Sequence, residues 1–230
     1  MSQAMILFDL DGTLADTNLD LHATMNFILN EYGCNAVETD RVRHMIGGGA
    51  RMILKRGFDA NNFQISNTEL DIATERFVDY YDQHIDDKTV LFNHVEDVLK
   101  AAKRDGIKMA VVTNKRESLA AKLLFRLNIH HYFDTLIGGD TLSQRKPDPL
   151  PILETLRRLG GSPHNAIMLG DSEADTLSAN AAKVTCVCVS FGYRRVSLDA
   201  LGADAIIDDF ADLPETLARL KPELFSGFKL

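Results

Sequence analysis

The run Asp9-Leu10-Asp11-Gly12-Thr13 sets two carboxylates two residues apart, directly after the apolar stretch Ala4 to Phe8. On an extended segment residues i and i+2 point to the same side, so both acids face one place, and Gly12 then allows a sharp turn. In a parallel sheet the loop beyond such a strand end is where ligands bind, so the pair faces a candidate site; as turn residues alone they would only cap the reversal. Thr113-Asn114 follows Ala110-Val111-Val112 and is expected to open a helix, where a hydroxyl, an amide and free backbone N–H groups either hold an oxyanion or serve as a cap. Lys146 precedes Pro147-Asp148-Pro149, a helix-start pattern with Asp148 as cap, and a lysine fixed there delivers a point charge. After Ile167-Met168-Leu169 comes Gly170-Asp171-Ser172-Glu173-Ala174-Asp175, with Asp171 at a strand exit and Asp175 one helical turn on. Helix dipoles alone would also favour acids there.

What must position these residues is a set of buried strands. Ala4 to Phe8, Lys108 to Thr113, Ala166 to Leu169, Thr185 to Val189 and Ala205 to Ile207 are short apolar runs ending at turns, with Thr135 to Ile137 a weaker one. Between them, Leu119, Leu123, Leu124 and Leu127, and then Ile152, Leu153, Leu156 and Leu159, repeat at helical spacing. Alternation of this kind predicts an α/β fold: a doubly wound parallel sheet, Rossmann-like, whose strand C-termini gather the polar clusters at one edge. Residues 16–87 break the alternation. Leu21, Met25, Ile28, Leu29 and Tyr32 form one helical stripe and Leu70, Ala73, Phe77 and Tyr81 another, so a small all-helical cap domain is expected there, inserted into a core of residues 1–15 and 88–230.

Composition narrows the classes. At 230 residues, 45% hydrophobic and 25% charged, the chain reads as globular, and a formal net charge of −8 argues against nucleic acid or an anionic membrane as partner. An anionic ligand would therefore need local cations or a metal. Three cysteines, with Cys186 and Cys188 inside a strand, suggest no disulfide framework, and the seven histidines show no helical metal pair. The first residues lack a basic, signal-like start, and no apolar run spans a bilayer, so a cytoplasmic protein is expected.

In this order and on this topology, Asp9, Asp11, Thr113, Asn114, Lys146, Asp171 and Asp175 resemble the four motifs of the haloacid dehalogenase-like hydrolase superfamily. The resemblance spans essentially the whole chain, the helical insertion matching a cap between the first two motifs. Within the superfamily, Phe8 to Leu14, Ile46 to Ala50, Val112 to Lys115, Ile137 to Asp148, Gly170 to Asp175 and Phe191-Gly192-Tyr193 are similar to bacterial phosphoglycolate phosphatases. Asn93-His94 departs from the Pro-Gly that relatives usually carry. The resemblance implies that Asp9 is the nucleophile of an aspartyl-phosphate mechanism, that Asp11 is the general acid and base, and that Lys146, Thr113 and Asn114 hold the phosphoryl group. It implies Mg²⁺ as cofactor on Asp9, Asp171 and the Asp11 backbone carbonyl, with Asp175 behind them. The implied substrate is a small phosphomonoester, 2-phosphoglycolate foremost, with another small phosphate, pyrophosphate or a phosphosugar mutase reaction as alternatives. A receiver-like or silent phosphate-binding module is the alternative outside enzymes. Relatives that cleave carbon–halogen bonds typically lack an acid at the place of Asp11, which favours phosphoryl chemistry. Gly47, Gly48, Gly49 and Arg51 are expected either to hold a substrate carboxylate or to form a plain flexible loop, and Tyr193 to be packing near the site. Monomer and homodimer both remain open.

Overall fold

A computed structural model of the chain describes residues 3–230. Strand β1 (Met5–Phe8) is buried along its whole length, and its side chains divide by alternation. Ile6 and Phe8 join one hydrophobic cluster, while Met5 and Leu7 join another on the opposite face. The chain then makes a two-residue strand β2 (Ala15–Asp16) and four helices, α1 (Asn18–Glu31), α2 (Thr39–Val42), α3 (Ala50–Ala60) and α4 (Asn67–Gln83), before β3 (Val90–Leu91) pairs antiparallel with β2. The rest alternates strand and helix: α5 (Val95–Arg104), β4 (Lys108–Val112), α6 (Glu117–Arg126), β5 (Thr135–Ile137), α7 (Leu150–Leu159), β6 (Ala166–Gly170), α8 (Glu173–Ala182), β7 (Thr185–Val189) and β8 (Ala205–Ile207), closing with α9 (Leu213–Leu220) and α10 (Pro222–Phe225).

Six strands form one parallel sheet in the order β5-β4-β1-β6-β7-β8. The order reverses at β1, and in open parallel sheets ligands bind beyond the strand C-termini at such a reversal. Register makes the edge level: Phe8 lies opposite Val111 on one side and Leu169 on the other. The residues that follow these strands therefore emerge side by side. Cys186 and Cys188 are fully buried on the second face of the sheet, as their spacing suggested.

The structure has a parallel core with an inserted helical cap, as the periodicity predicted, and it refines several details. Leu153 is 42% exposed while Ile152, Leu156 and Leu159 pack, so the buried stripe of α7 is narrower than its leucine pattern. Helix α3, which the stripe pattern did not reveal, buries Ile53, Leu54 and Phe58 between the other cap helices. Helix α4 starts at a capping box: Glu69 N–H donates to Ser66 Oγ at 3.2 Å and Ser66 N–H to the Glu69 carboxylate at 3.2 Å. Ser66→Ala should cost about 1 kcal/mol and lower Tm by about 2 to 4 °C in a thermal melt. Buried Asp20 on α1 ties the cap to the returning chain, its Oδ2 accepting from Lys88 N–H (3.0 Å), Thr89 N–H (2.9 Å) and Thr89 Oγ1 (2.7 Å). His94 takes the left-handed backbone (φ 59°) just before α5, a conformation that glycine reaches without strain, and its Nδ1 lies 2.6 Å from Asp209 Oδ1. No helix among the described residues is long and apolar enough to cross a membrane.

Candidate active site

Asp9 follows β1 directly. Its N–H donates to Leu169 O (2.9 Å), continuing the β1–β6 ladder by one residue, and its Oδ1 accepts from Leu10 N–H (2.7 Å) and lies 3.1 Å from Lys146 Nζ. Lys146 arrives from the segment before α7 and is buried; its ammonium also donates to Val112 O (2.6 Å) and to Asp175 Oδ1 (2.6 Å). Asp171, just after β6, accepts through Oδ2 from Tyr193 N–H. Gly12 and Gly192 permit the closeness of these loops. A Cβ on Gly12, which has φ +84°, would sit 2.4 Å from Asp171 Oδ2, and one on Gly192 would sit 2.2 Å from Asp171 Cβ.

Asp9, Asp171 and Asp175 bring carboxylate oxygens within 4.8 Å of one another, all three residues buried. Burial pushes the Asp9 carboxyl up to about 6, with Lys146 opposing the shift and the charges of Asp175 and Asp11 adding to it. Burial, then the charges of Asp175 and Asp9, hold the Asp171 carboxyl well above the ordinary range. Burial alone would lower the Lys146 ammonium, but Asp175 and Asp9 outweigh it and keep it above the usual lysine value. One ammonium among three buried carboxylates leaves excess negative charge. An all-oxygen, carboxylate-rich donor set of this kind fits a hard divalent cation such as Mg²⁺. Asp175 is already engaged at both oxygens: Oδ1 on Lys146, and Oδ2 on the N–H groups of Asp171 (3.2 Å) and Ser172 (3.1 Å) and on Ser172 Oγ (2.8 Å). Asp9 meets donors only at Oδ1, and Asp171 accepts once at each oxygen, from Thr13 Oγ1 (3.4 Å) and from Tyr193 N–H, so these two keep more lone-pair capacity than Asp175.

The second cluster differs from its expected form. Thr113 and Asn114 do not open a helix, because α6 begins only at Glu117. The intervening loop turns on its own side chains: Thr113 Oγ1 accepts from Lys115 N–H (3.2 Å), and the Asn114 amide donates to Lys146 O (2.9 Å), coupling this loop to the lysine segment. Both residues still line the cavity that holds Asp9, Asp11, Lys146 and Asp171. That cavity, about 360 Å³, lies between the sheet edge and the cap, which contributes Gly47, Gly48 and Gly49 from the loop before α3 and Tyr81 from α4. All three glycines have positive φ (105°, 81° and 86°), so the loop has a defined shape that side chains would strain. Arg51 lines the cavity too, yet its guanidinium is held within the cap by Asp71 (2.7 Å) and Asn67 (3.0 Å). Tyr193 is buried at the core's side of the entrance; its hydroxyl donates to Asp16 and accepts from Asn18 N–H (2.9 Å).

Lys115 is the cavity residue that the sequence pattern did not single out. It is buried, and its ammonium donates to Asp11 Oδ1 (2.8 Å) and to the Tyr81 hydroxyl (2.9 Å). Its position directly after Thr113-Asn114 is the signal that could have found it.

Comparison with known proteins agrees with this architecture. The family model for haloacid dehalogenase-like hydrolases matches residues 6–189. The chain is 38% identical over 213 residues to a phosphoglycolate phosphatase of Agrobacterium fabrum, covering 93% of this chain and 91% of that one. It is also 38% identical over 220 residues to a phosphoglycolate phosphatase of Caulobacter vibrioides, covering 96% and 93%. Among solved structures, a predicted phosphoglycolate phosphatase from Haemophilus somnus superposes with a TM-score of 0.88 at 29% identity, covering 94% of this chain and 98% of that one. CbbY from Rhodobacter sphaeroides, solved in complex with phosphate, matches with a TM-score of 0.74 at 28% identity, over 93% and 96%. With these relatives the chain is a phosphoric monoester hydrolase. It belongs to the haloacid dehalogenase-like hydrolase family.

Proposed function

We propose that this hydrolase removes the phosphoryl group of 2-phosphoglycolate through an aspartyl-phosphate on Asp9, with Mg²⁺ as its cofactor. The observation that carries the reading is the meeting of Asp9, Asp171 and Lys146 at one sheet edge, with Asp11 two residues beyond Asp9 and in the same cavity. The naming of relatives at 38% identity as phosphoglycolate phosphatases supports the substrate.

Asp9 attacks phosphorus with a carboxylate oxygen, and the bond from phosphorus to the bridging oxygen breaks. Asp11 gives its proton to the departing alkoxide. It then takes a proton from the water that attacks the acyl phosphate, so that phosphate leaves and the Asp9 carboxylate is restored. Charge on the equatorial oxygens meets Lys146 and donors from Thr113 and Asn114. Asp9, Asp171 and the backbone carbonyl of Asp11 would hold Mg²⁺, which supplies further neutralisation of phosphoryl charge when bound. Asp175 supports from behind, fixing Lys146 and the Asp171 backbone. The cap closes the cavity above and excludes water from the acyl phosphate except where Asp11 directs it.

The reading is tested by phosphate release from a panel of small phosphates with and without Mg²⁺. A preference for 2-phosphoglycolate that depends on Mg²⁺ supports it, and release that is indifferent to the metal overturns it. Thermal melts give a second check. Mg²⁺ at a hundred times its Kd should stabilise the protein by about 2.7 kcal/mol, a rise in Tm of about 5 to 10 °C. Asp171→Asn keeps a carbonyl to accept from Tyr193 N–H and removes a carboxyl whose charged form burial disfavours, so the metal-free variant should melt no lower than wild type and lose the Mg²⁺-induced rise. A full rise in that variant would remove Asp171 from the metal site.

A further inference from the structure

We propose that Lys115 reads the second anionic group of the substrate, exchanging its bond to Asp11 for a substrate carboxylate and thereby releasing Asp11 to serve the leaving oxygen. The inference rests on the phosphatase reading above and names the residue that selects its substrate class: small phosphomonoesters with a carboxylate one carbon from the bridging oxygen.

Among the described residues, five cationic side chains line the cavity: Arg51, Lys115, Arg116, Arg145 and Lys146. Lys146 is held by Asp175 and Asp9 at the phosphoryl end. Arg51 and Arg116 line the cavity paired with Asp71 and Glu75, with side chains 37% and 35% exposed, and Arg145 lines it as an exposed residue. Lys115 is different: its side chain is 5% exposed, and its carboxylate partner is Asp11 itself. A buried ammonium needs a counter-charge in each state of the enzyme, so Lys115 leaves Asp11 only when another anion takes its place.

Geometry fits that exchange. The Lys115 ammonium is 2.8 Å from Asp11 Oδ1, one hydrogen-bond length beyond the group that must touch the bridging oxygen. A carboxylate two bonds from that oxygen is short enough to reach this position. On its other side the ammonium is held by Tyr81 of α4, donating to the hydroxyl at 2.9 Å and lying 4.4 Å from the ring centroid. Tyr81 belongs to the cap, so the lysine stands where cap and core meet. It can turn from Asp11 toward the substrate while keeping its hydroxyl acceptor. A phosphomonoester without the second anion leaves Lys115 on Asp11 Oδ1, with only Oδ2 open to the leaving group. Selection then acts twice, on binding and on availability of the acid.

The test compares 2-phosphoglycolate with hydroxyethyl phosphate, in which a neutral CH₂OH replaces the carboxylate. The ratio of kcat/KM for the two should fall about 10- to 100-fold in Lys115→Met, with the loss on 2-phosphoglycolate weighted toward KM, while Lys115→Arg retains more of the ratio. An equal fall on both compounds would overturn the proposal, leaving Lys115 as a positioning residue for Asp11 alone; no change in either would also overturn it. Binding of phosphonopropionate against propylphosphonate to Asp9→Asn protein, with and without Lys115→Met, reads the same preference without turnover. Failure of the phosphatase reading looks different: wild type would release phosphate from neither compound, and the binding ratio would still decide the role of Lys115.

Discussion

Asp9→Asn should lower the turnover number on 2-phosphoglycolate by about 10⁴-fold or more while leaving the protein folded. The size follows from the role. Without a carboxylate oxygen to attack phosphorus, the two-step route is closed, and only binding and charge stabilisation remain. That the fold survives follows from the environment. The asparagine carbonyl can still accept from Leu10 N–H and from Lys146, the two donors that Asp9 Oδ1 meets. Burial already pushes the Asp9 carboxyl up to about 6, so a neutral isostere relieves a strained charge in the metal-free protein. Steady-state kinetics and a melt on the same preparation check both halves. Residual activity within tenfold of wild type would assign the nucleophile elsewhere.

Lys146→Met should destabilise the fold strongly. Its ammonium lies among Val112 O, Asp175 and Asp9, and the Asp175 side chain is 0% exposed. Deleting one partner of a buried pair costs about 3 to 5 kcal/mol because the remaining charge has no counter-ion. For a chain of this size Tm should fall by about 6 to 20 °C. Adding Asp175→Asn to Lys146→Met should recover part of that loss, since the stranded charge goes with it. Strict additivity of the two changes would mean that they do not interact. Activity should not return with stability, because charge at the phosphoryl end is still missing.

How far the sequence alone reaches is clearest at the sheet. The continuous apolar run Ala4 to Phe8 and the short apolar runs after it identify every strand of the parallel sheet, and the strand-end rule then brings Asp9, Asp11, Thr113, Lys146 and Asp171 to one edge. The two-residue ribbon β2–β3 was illegible because it has too few residues to show a period. Helix α3 escaped because its apolar residues Ile53, Leu54 and Phe58 flank Gly57, a poor helix former, and follow three glycines. At the site, individual acids were legible from motif spacing, but partnerships were not. Nothing in the one-dimensional pattern says that Arg51 turns to Asp71, or that Lys115 reaches across to Asp11 and Tyr81, residues 104 and 34 positions away. Such pairings depend on how the cap sits over the core, which is a tertiary fact.

If phosphoryl transfer passes through Asp9, the phosphoryl group resides on that residue within each turnover. The most direct measurement is to mix enzyme, Mg²⁺ and 2-phosphoglycolate labelled in its phosphoryl group, quench with acid within the first turnover, and locate the label by peptide mapping. Label is expected on the peptide containing Asp9, absent from Asp9→Asn and lost when the wild-type reaction runs to completion. Rapid release of labelled phosphate with no label on the protein, or label on another residue, would contradict it.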